Sequence, residues 1–198
     1  MRICGFTGYR PEKFPFKTDE ADPACIALKK SLEARIRMMI EDGFTHFICG
    51  GARGADTFAA EAVLKLKREF PSVILEIAAP FWGQEKRWNP IDQARYHEVL
   101  EQAQKITYVC RTEGKESYAV RNKYIVDSCD RLIAVFDGKR GGTSMTVNYA
   151  EKSGVEVVQI FPDGKVLERS QQLFLFSPQL EYDIGSEEDF DEYNDDFE

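Results

Sequence analysis

The sequence predicts an α/β protein, a three-layer sandwich around a mostly parallel six-stranded sheet. Three observations predict it. Short runs rich in β-branched and aromatic residues alternate with longer segments of helical period, several of those runs are apolar nearly throughout, and the helical segments carry start and stop residues at both ends.

Taken in order, the first strand is 2–6 (RICGF). Asp22 and Pro23 then supply an N-cap and first-turn pair, and Leu28, Leu32, Ile36, Met39 and Ile40 form one apolar stripe that ends at Gly43. The second strand is 45–49, followed by a helix from about Ala55 to Glu69. The third is 73–79, and Asn89–Pro90 repeats the start signal for a helix running to about Ala103. Strand 106–110 precedes a helix capped at Ser117 that ends before Asp130. Strand 131–136 leads into a helix between Thr143 and Ser153, stopped by Gly154, and the last strand is 155–161. Six strands joined by five right-handed crossovers make the sandwich Rossmann-like. Residues 1–161 read as this domain, 162–180 as a short appendage, and 181–198 as an acidic tail expected to be disordered.

The 198 residues carry 34 acidic and 26 basic side chains, a net charge of −8. Ten of the acids and none of the bases fall in 181–198, so residues 1–180 hold 24 acids against 26 bases and the body is near neutral. Bulk electrostatic binding of nucleic acid is disfavoured, while local phosphate sites stay open. At 43% hydrophobic, the chain can build a substantial core, and it has no apolar run of about 18 residues to span a membrane. Five cysteines without close pairs fit neither a disulfide framework nor a zinc set; no metal and no cofactor is expected. The N-terminal apolar stretch is too short for a secretory signal, so a cytoplasmic protein is expected.

In such a sheet, ligands bind beyond the carboxyl ends of the strands. After strand one comes G-F-T-G-Y-R-P, in which Gly8, Tyr9 and Arg10 suit close backbone approach to a phosphate or sugar. After strand two, G-G-A-R-G-A-D opens straight into a helix: Gly50, Gly51 and Gly54 admit an anion, Arg53 adds charge, and Asp56 either serves the helix dipole or binds a ribose hydroxyl. After strand five, a second glycine-rich helix start offers Gly141, Gly142, Thr143, Ser144 and Thr146. Arg121 and Asn122 lie on the helix before strand five. Read alone, Arg121 is an exposed arginine; two glycine-rich helix starts facing one crevice make it part of an anion site. Trp88 is the residue placed to stack on a base, whereas Trp82 reads as core or subunit interface. His46 and His97 lack partners at a catalytic spacing and read as structural.

These segments, in this order, resemble the SLOG superfamily, which joins the DNA-processing protein DprA (Smf) with the cytokinin-activating LOG enzymes. G-G-A-R-G-A-D with A-A-E-A, R-N-K-Y-I and G-G-T-S-M-T-V-N-Y-A carry the DprA-like likeness. G-F-T-G-Y-R-P and A-P-F-W-G-Q-E-K-R-W point to the YpsA-like branch, over about residues 1–160. The resemblance implies a nucleotide or nucleotide-derived ligand between the loops and a homodimer or larger assembly. Arg121 matches the arginine that serves the LOG reaction, cleavage of the N-glycosidic bond of a nucleoside monophosphate. The LOG glutamate position falls on Asn148, and an amide cannot exchange a proton near neutral pH or stabilise a cationic sugar by charge. A sensor or binding role is therefore preferred, with N-glycosidic hydrolysis using Asp56 or Glu151 as the alternative. Single-stranded DNA binding through Lys13, Lys17, Arg87, Lys139 and Arg140 is the third reading. The tail, with Phe190, Tyr193 and Phe197 among its acids, is a candidate docking segment for a protein partner.

Overall fold

A computed structural model describes residues 1–114 and 116–168. The expected disorder of 181–198 lies outside the described residues. All six predicted strands form: β1 (Arg2–Gly8), β2 (Phe44–Cys49), β3 (Ile74–Ala79), β4 (Lys105–Tyr108), β5 (Arg131–Val135) and β6 (Glu156–Ile160). A seventh, β7 (Val166–Glu168), falls in the predicted appendage and pairs antiparallel with β6, so the sheet has one strand more than expected. The strand order is β4-β3-β2-β1-β5-β6-β7, and every pairing but the last is parallel.

The helices are α1 (Pro23–Glu41), α2 (Ala55–Lys67), α3 (Pro90–Gln102), α4 (Ser117–Ser128) and α5 (Gly142–Lys152). Asp22 caps α1 by accepting from the Ala24 N–H at 2.7 Å, and Asn89 caps α3 by accepting from the Asp92 N–H at 3.0 Å. The α1 stripe buries Leu28, Leu32, Ile36 and Met39, while predicted Ile40 stays half-buried at its margin. Helices α1, α2 and α3 pack in sequence on one face, and α4 and α5 pack together on the other. Chain order alone explains the split. From β1 to β4 each strand is added on one side; the chain then crosses back to place β5 beside β1, and right-handed crossovers put the next helices on the opposite face. Loops after β1 and β5 therefore diverge to opposite faces, which opens a crevice between them.

A buried polar network ties α4 to the sheet. Glu76 on β3 is fully buried and accepts from Thr107 Oγ1 at 2.7 Å and Tyr124 Oη, on α4, at 2.9 Å. Lys105 Nζ donates to it at 3.0 Å, and His46 Nε2 lies 2.8 Å away. Burial pushes this carboxyl's pKa up, but the His46 ring beside it and the bonds from Thr107, Lys105 and Tyr124 outweigh burial and hold it at about 2. His46 is thus structural, as its sequence context suggested.

Candidate functional site

The crevice between β1 and β5 is a cleft of about 70 Å³. Its walls come from four segments. Phe6 to Gly8 end β1, with Tyr9, Arg10 and Lys13 beyond it; Ala52 precedes α2 and Asp56 lies in its first turn; Tyr118, Arg121, Asn122 and Ile125 belong to α4; and Gly142 and Thr143 begin α5. The α4 residues are spaced i, i+3, i+4 and i+7, so a single helical face supplies them all.

Arg121 is at the centre and is buried, at 5% exposure, rather than the exposed arginine its own segment suggests. Its Nε donates to Asn122 Oδ1 at 2.8 Å. Its Nη1 is 3.6 Å from Asp56 Oδ2, too far for a hydrogen bond, and has no hydrogen-bond partner among the described residues. The guanidinium lies against Gly50: a Cβ there would fall 1.3 Å from Nη1, so any side chain at that position would evict the arginine. Burial raises the pKa of Asp56 and the Arg121 charge opposes that rise.

The two glycine-rich helix starts differ in what they leave open. At α2, the Ala52 N–H donates to Asp56 Oδ2 at 3.2 Å and the Ala55 N–H donates to the Tyr9 carbonyl at 3.0 Å. The turn's own carboxylate thus takes the seat expected for an anion. At α5, the Gly141 N–H donates to Ser144 Oγ at 2.9 Å, while the N–H groups of Gly142 and Thr143, both cleft residues, have no acceptor among the described residues. The amides left open beside the cleft are thus those of Gly142 and Thr143 at α5 and of Asp56 at α2, and open amides at a helix start suit an anion. Thr146 is buried behind the first turn and donates to the Gly142 carbonyl at 2.9 Å, which shapes that turn and keeps its hydroxyl out of the cleft.

Other predicted residues are placed elsewhere. Arg53 pairs with Glu12 at 2.5 Å and Asp92 at 3.5 Å and does not line the cleft. Trp88 packs edge-on against Tyr96, ring centroids 5.4 Å apart, and is likewise outside it. Trp82 is 68% exposed beneath Lys86 Nζ, which removes the core half of its reading as core or subunit interface. Tyr9 is 6% exposed and donates to Asp137, so it forms a wall; burial and the Asp137 carboxylate push its pKa up to about 12. Gly51 and Gly50 offer carbonyls to Gln84 Nε2, which also reaches Tyr96 Oη at 3.1 Å and pins the loop after β3 to the start of α2. Asn148 is exposed on α5, away from the cleft. Lys13, Ala52 and Tyr118 are cleft residues that sequence reasoning did not place there. The helical spacing of Tyr118 to Arg121 is the signal that could have found Tyr118; its ring also lies 5.4 Å from the Arg10 guanidinium.

The family model YpsA, described as the YspA SLOG family, matches residues 4–163. The chain belongs to this family. It is 34% identical over 146 residues to a UPF0398 protein of Bacillus pumilus, covering 72% of this chain and 77% of that one. It is 31% identical over 158 residues to a UPF0398 protein of Bacillus cereus (strain G9842), covering 78% and 85%. Among solved structures, the DNA processing protein A of Helicobacter pylori, described by its single-stranded DNA binding mode, superposes with a TM-score of 0.54 at 15% identity. That of Streptococcus pneumoniae superposes at 0.52 and 16%. The match covers 80% and 81% of this chain but 65% and 50% of those longer proteins, and at such identity it shows a shared Rossmann-like fold alone. No helix among the described residues is long and apolar enough to cross a membrane.

Proposed function

We propose that this SLOG protein binds a nucleotide or nucleotide-derived ligand and acts as a sensor or regulator. One observation carries the reading: a buried guanidinium with an unpartnered Nη1 faces the same cleft as the open N–H groups of α5. An unpaired buried donor is costly, and a phosphoryl oxygen would satisfy it while meeting the helix start. The cleft of about 70 Å³ holds a phosphate-sized group, leaving the remainder of a nucleotide over its mouth near Arg10 and Tyr118. Occupancy would be read by a second copy or a partner.

Calorimetry and thermal shift across a panel of nucleoside mono-, di- and triphosphates test this. At a hundredfold excess over Kd, a ligand stabilises by about 2.7 kcal/mol, or roughly 5–10 °C for a domain of this size. Thr143→Asp places a carboxylate at the α5 amides without disturbing the core and should abolish the shift; Arg121→Lys should weaken it at least tenfold. A panel without a shift, or a shift untouched by Thr143→Asp, refutes the proposal.

A second reading is N-glycosidic hydrolysis. What favours it is Asp56, a buried carboxyl within 3.6 Å of Arg121 and lining the same cleft. Mass spectrometry of nucleotide incubations decides it: free base released by the wild type and lost in Asp56→Asn would establish the enzyme, and no release above a protein-free control removes it.

A further inference from the structure

Beyond the wall formed by the Tyr9–Asp137 hydrogen bond lies a larger groove of about 520 Å³. Lys13, Lys17, Lys139 and Lys165 line it together with the apolar rings of Phe14 and Phe161. Two carboxylates face the four lysines: Asp137 holds Lys139 at 2.8 Å and also accepts from Tyr9, and Asp163 holds Lys165 at 3.0 Å. The lining thus holds four cationic and two anionic side chains, together with apolar surface. A second groove, between α2 and α3, has one cation in excess, and its Arg95 is already clamped by Glu61 and Glu20.

We infer that residues 181–198 of this chain dock into the lysine-lined groove. This segment has ten acids and no base, and Phe190, Tyr193 and Phe197 are interleaved with the acids. Its chemistry complements the groove on both counts, carboxylates for the lysines and rings for the apolar floor. Distance permits it. The groove is walled by Phe161, which adjoins β6, and β7 leads away from it only as far as Glu168. From there residues 169–180 span up to ~40 Å, against ~17 Å for a five-residue strand.

Lys13 lines both the groove and the anion cleft, so a docked tail brings negative charge to the cleft mouth. An anionic ligand and the tail then oppose each other. That consequence rests on the proposed nucleotide reading; the docking itself does not.

Zero-length carbodiimide cross-linking of the full chain, followed by peptide mass spectrometry, tests the docking with no nucleotide present. Carboxylates of 181–198 should couple to Lys17, Lys139 or Lys165 at least fivefold more than to Lys30 and Lys65, and the excess should vanish near 1 M salt, where the Debye length is ~3 Å. In a mixture of heavy and light isotope-labelled chains, the coupled peptides should come from one chain. Cleavage of the tail by a glutamate-specific protease should speed up about fivefold in Lys17→Glu/Lys139→Glu/Lys165→Glu. Equal coupling to Lys30 and Lys65, coupling only between chains, or unchanged cleavage overturns the inference. Such failure would leave the ligand reading standing, because neither readout involves a nucleotide.

Discussion

Glu76→Gln should weaken the fold in a manner set by pH. The carboxyl's pKa falls from 4.5 to about 2 on folding, because three donors and the adjacent His46 ring outweigh the cost of burying it. At ~1.36 kcal/mol per unit, the ionised form contributes roughly 3 kcal/mol. For a carboxylate with a depressed folded pKa, this stabilisation is complete above its unfolded value and is lost as pH falls from about 4.5 towards 2. Urea unfolding at pH 7 should therefore show the variant about 3 kcal/mol less stable than wild type, and the gap should shrink to less than half by about pH 3. The consequence reaches the cleft, because Tyr124 donates to Glu76 from the same helix that carries Arg121. A gap under about 0.5 kcal/mol, or one that stays constant from pH 7 to pH 3, would refute the view that an ionised Glu76 anchors α4.

Three further outcomes follow from the packing. Gly8→Ala puts a Cβ 2.4 Å from Ala55 Cβ and 2.9 Å from Val135 Cβ, where α2, β1 and β5 converge; about 1–3 kcal/mol is lost, and an unchanged Tm in differential scanning calorimetry would contradict it. Asp56→Asn removes the carboxylate that competes for Arg121 and should tighten sulfate binding roughly tenfold at pH 7. Since burial raises the Asp56 pKa, sulfate affinity of the wild type should climb as pH falls towards 4, whereas that of the variant stays flat; parallel titration curves would exclude the competition. Cys4, Cys25, Cys49 and Cys129 are buried and Cys110 is half-exposed, so a thiol reagent should modify one cysteine quickly in the native protein and all five in denaturant.

The elements were legible because their signals are local. Asp22 and Asn89 cap the helices that follow them, and β5 reads as a covered strand because Leu132 to Val135 are all apolar. Strand β7 was missed because three residues of an edge strand have no periodicity to detect. Of the site, the α5 start and Arg121 were visible as residues, yet the burial of Arg121 was not. That burial depends on Gly50, distant in the chain, leaving room for the guanidinium. Trp88 and Arg53 illustrate the opposite case. Their positions after strands placed them near the crevice, but Tyr96 and Glu12 provide contacts that turn them away.

From residue order alone came the alternation of strand and helix, the glycine-rich turns and the concentration of acid at the carboxyl end, since each depends on neighbours in sequence. Only the packed chain decided which amides of each turn stay open. Asp56 folds back onto the first turn and Ser144 takes a single amide of the second, a choice made by side-chain reach in three dimensions.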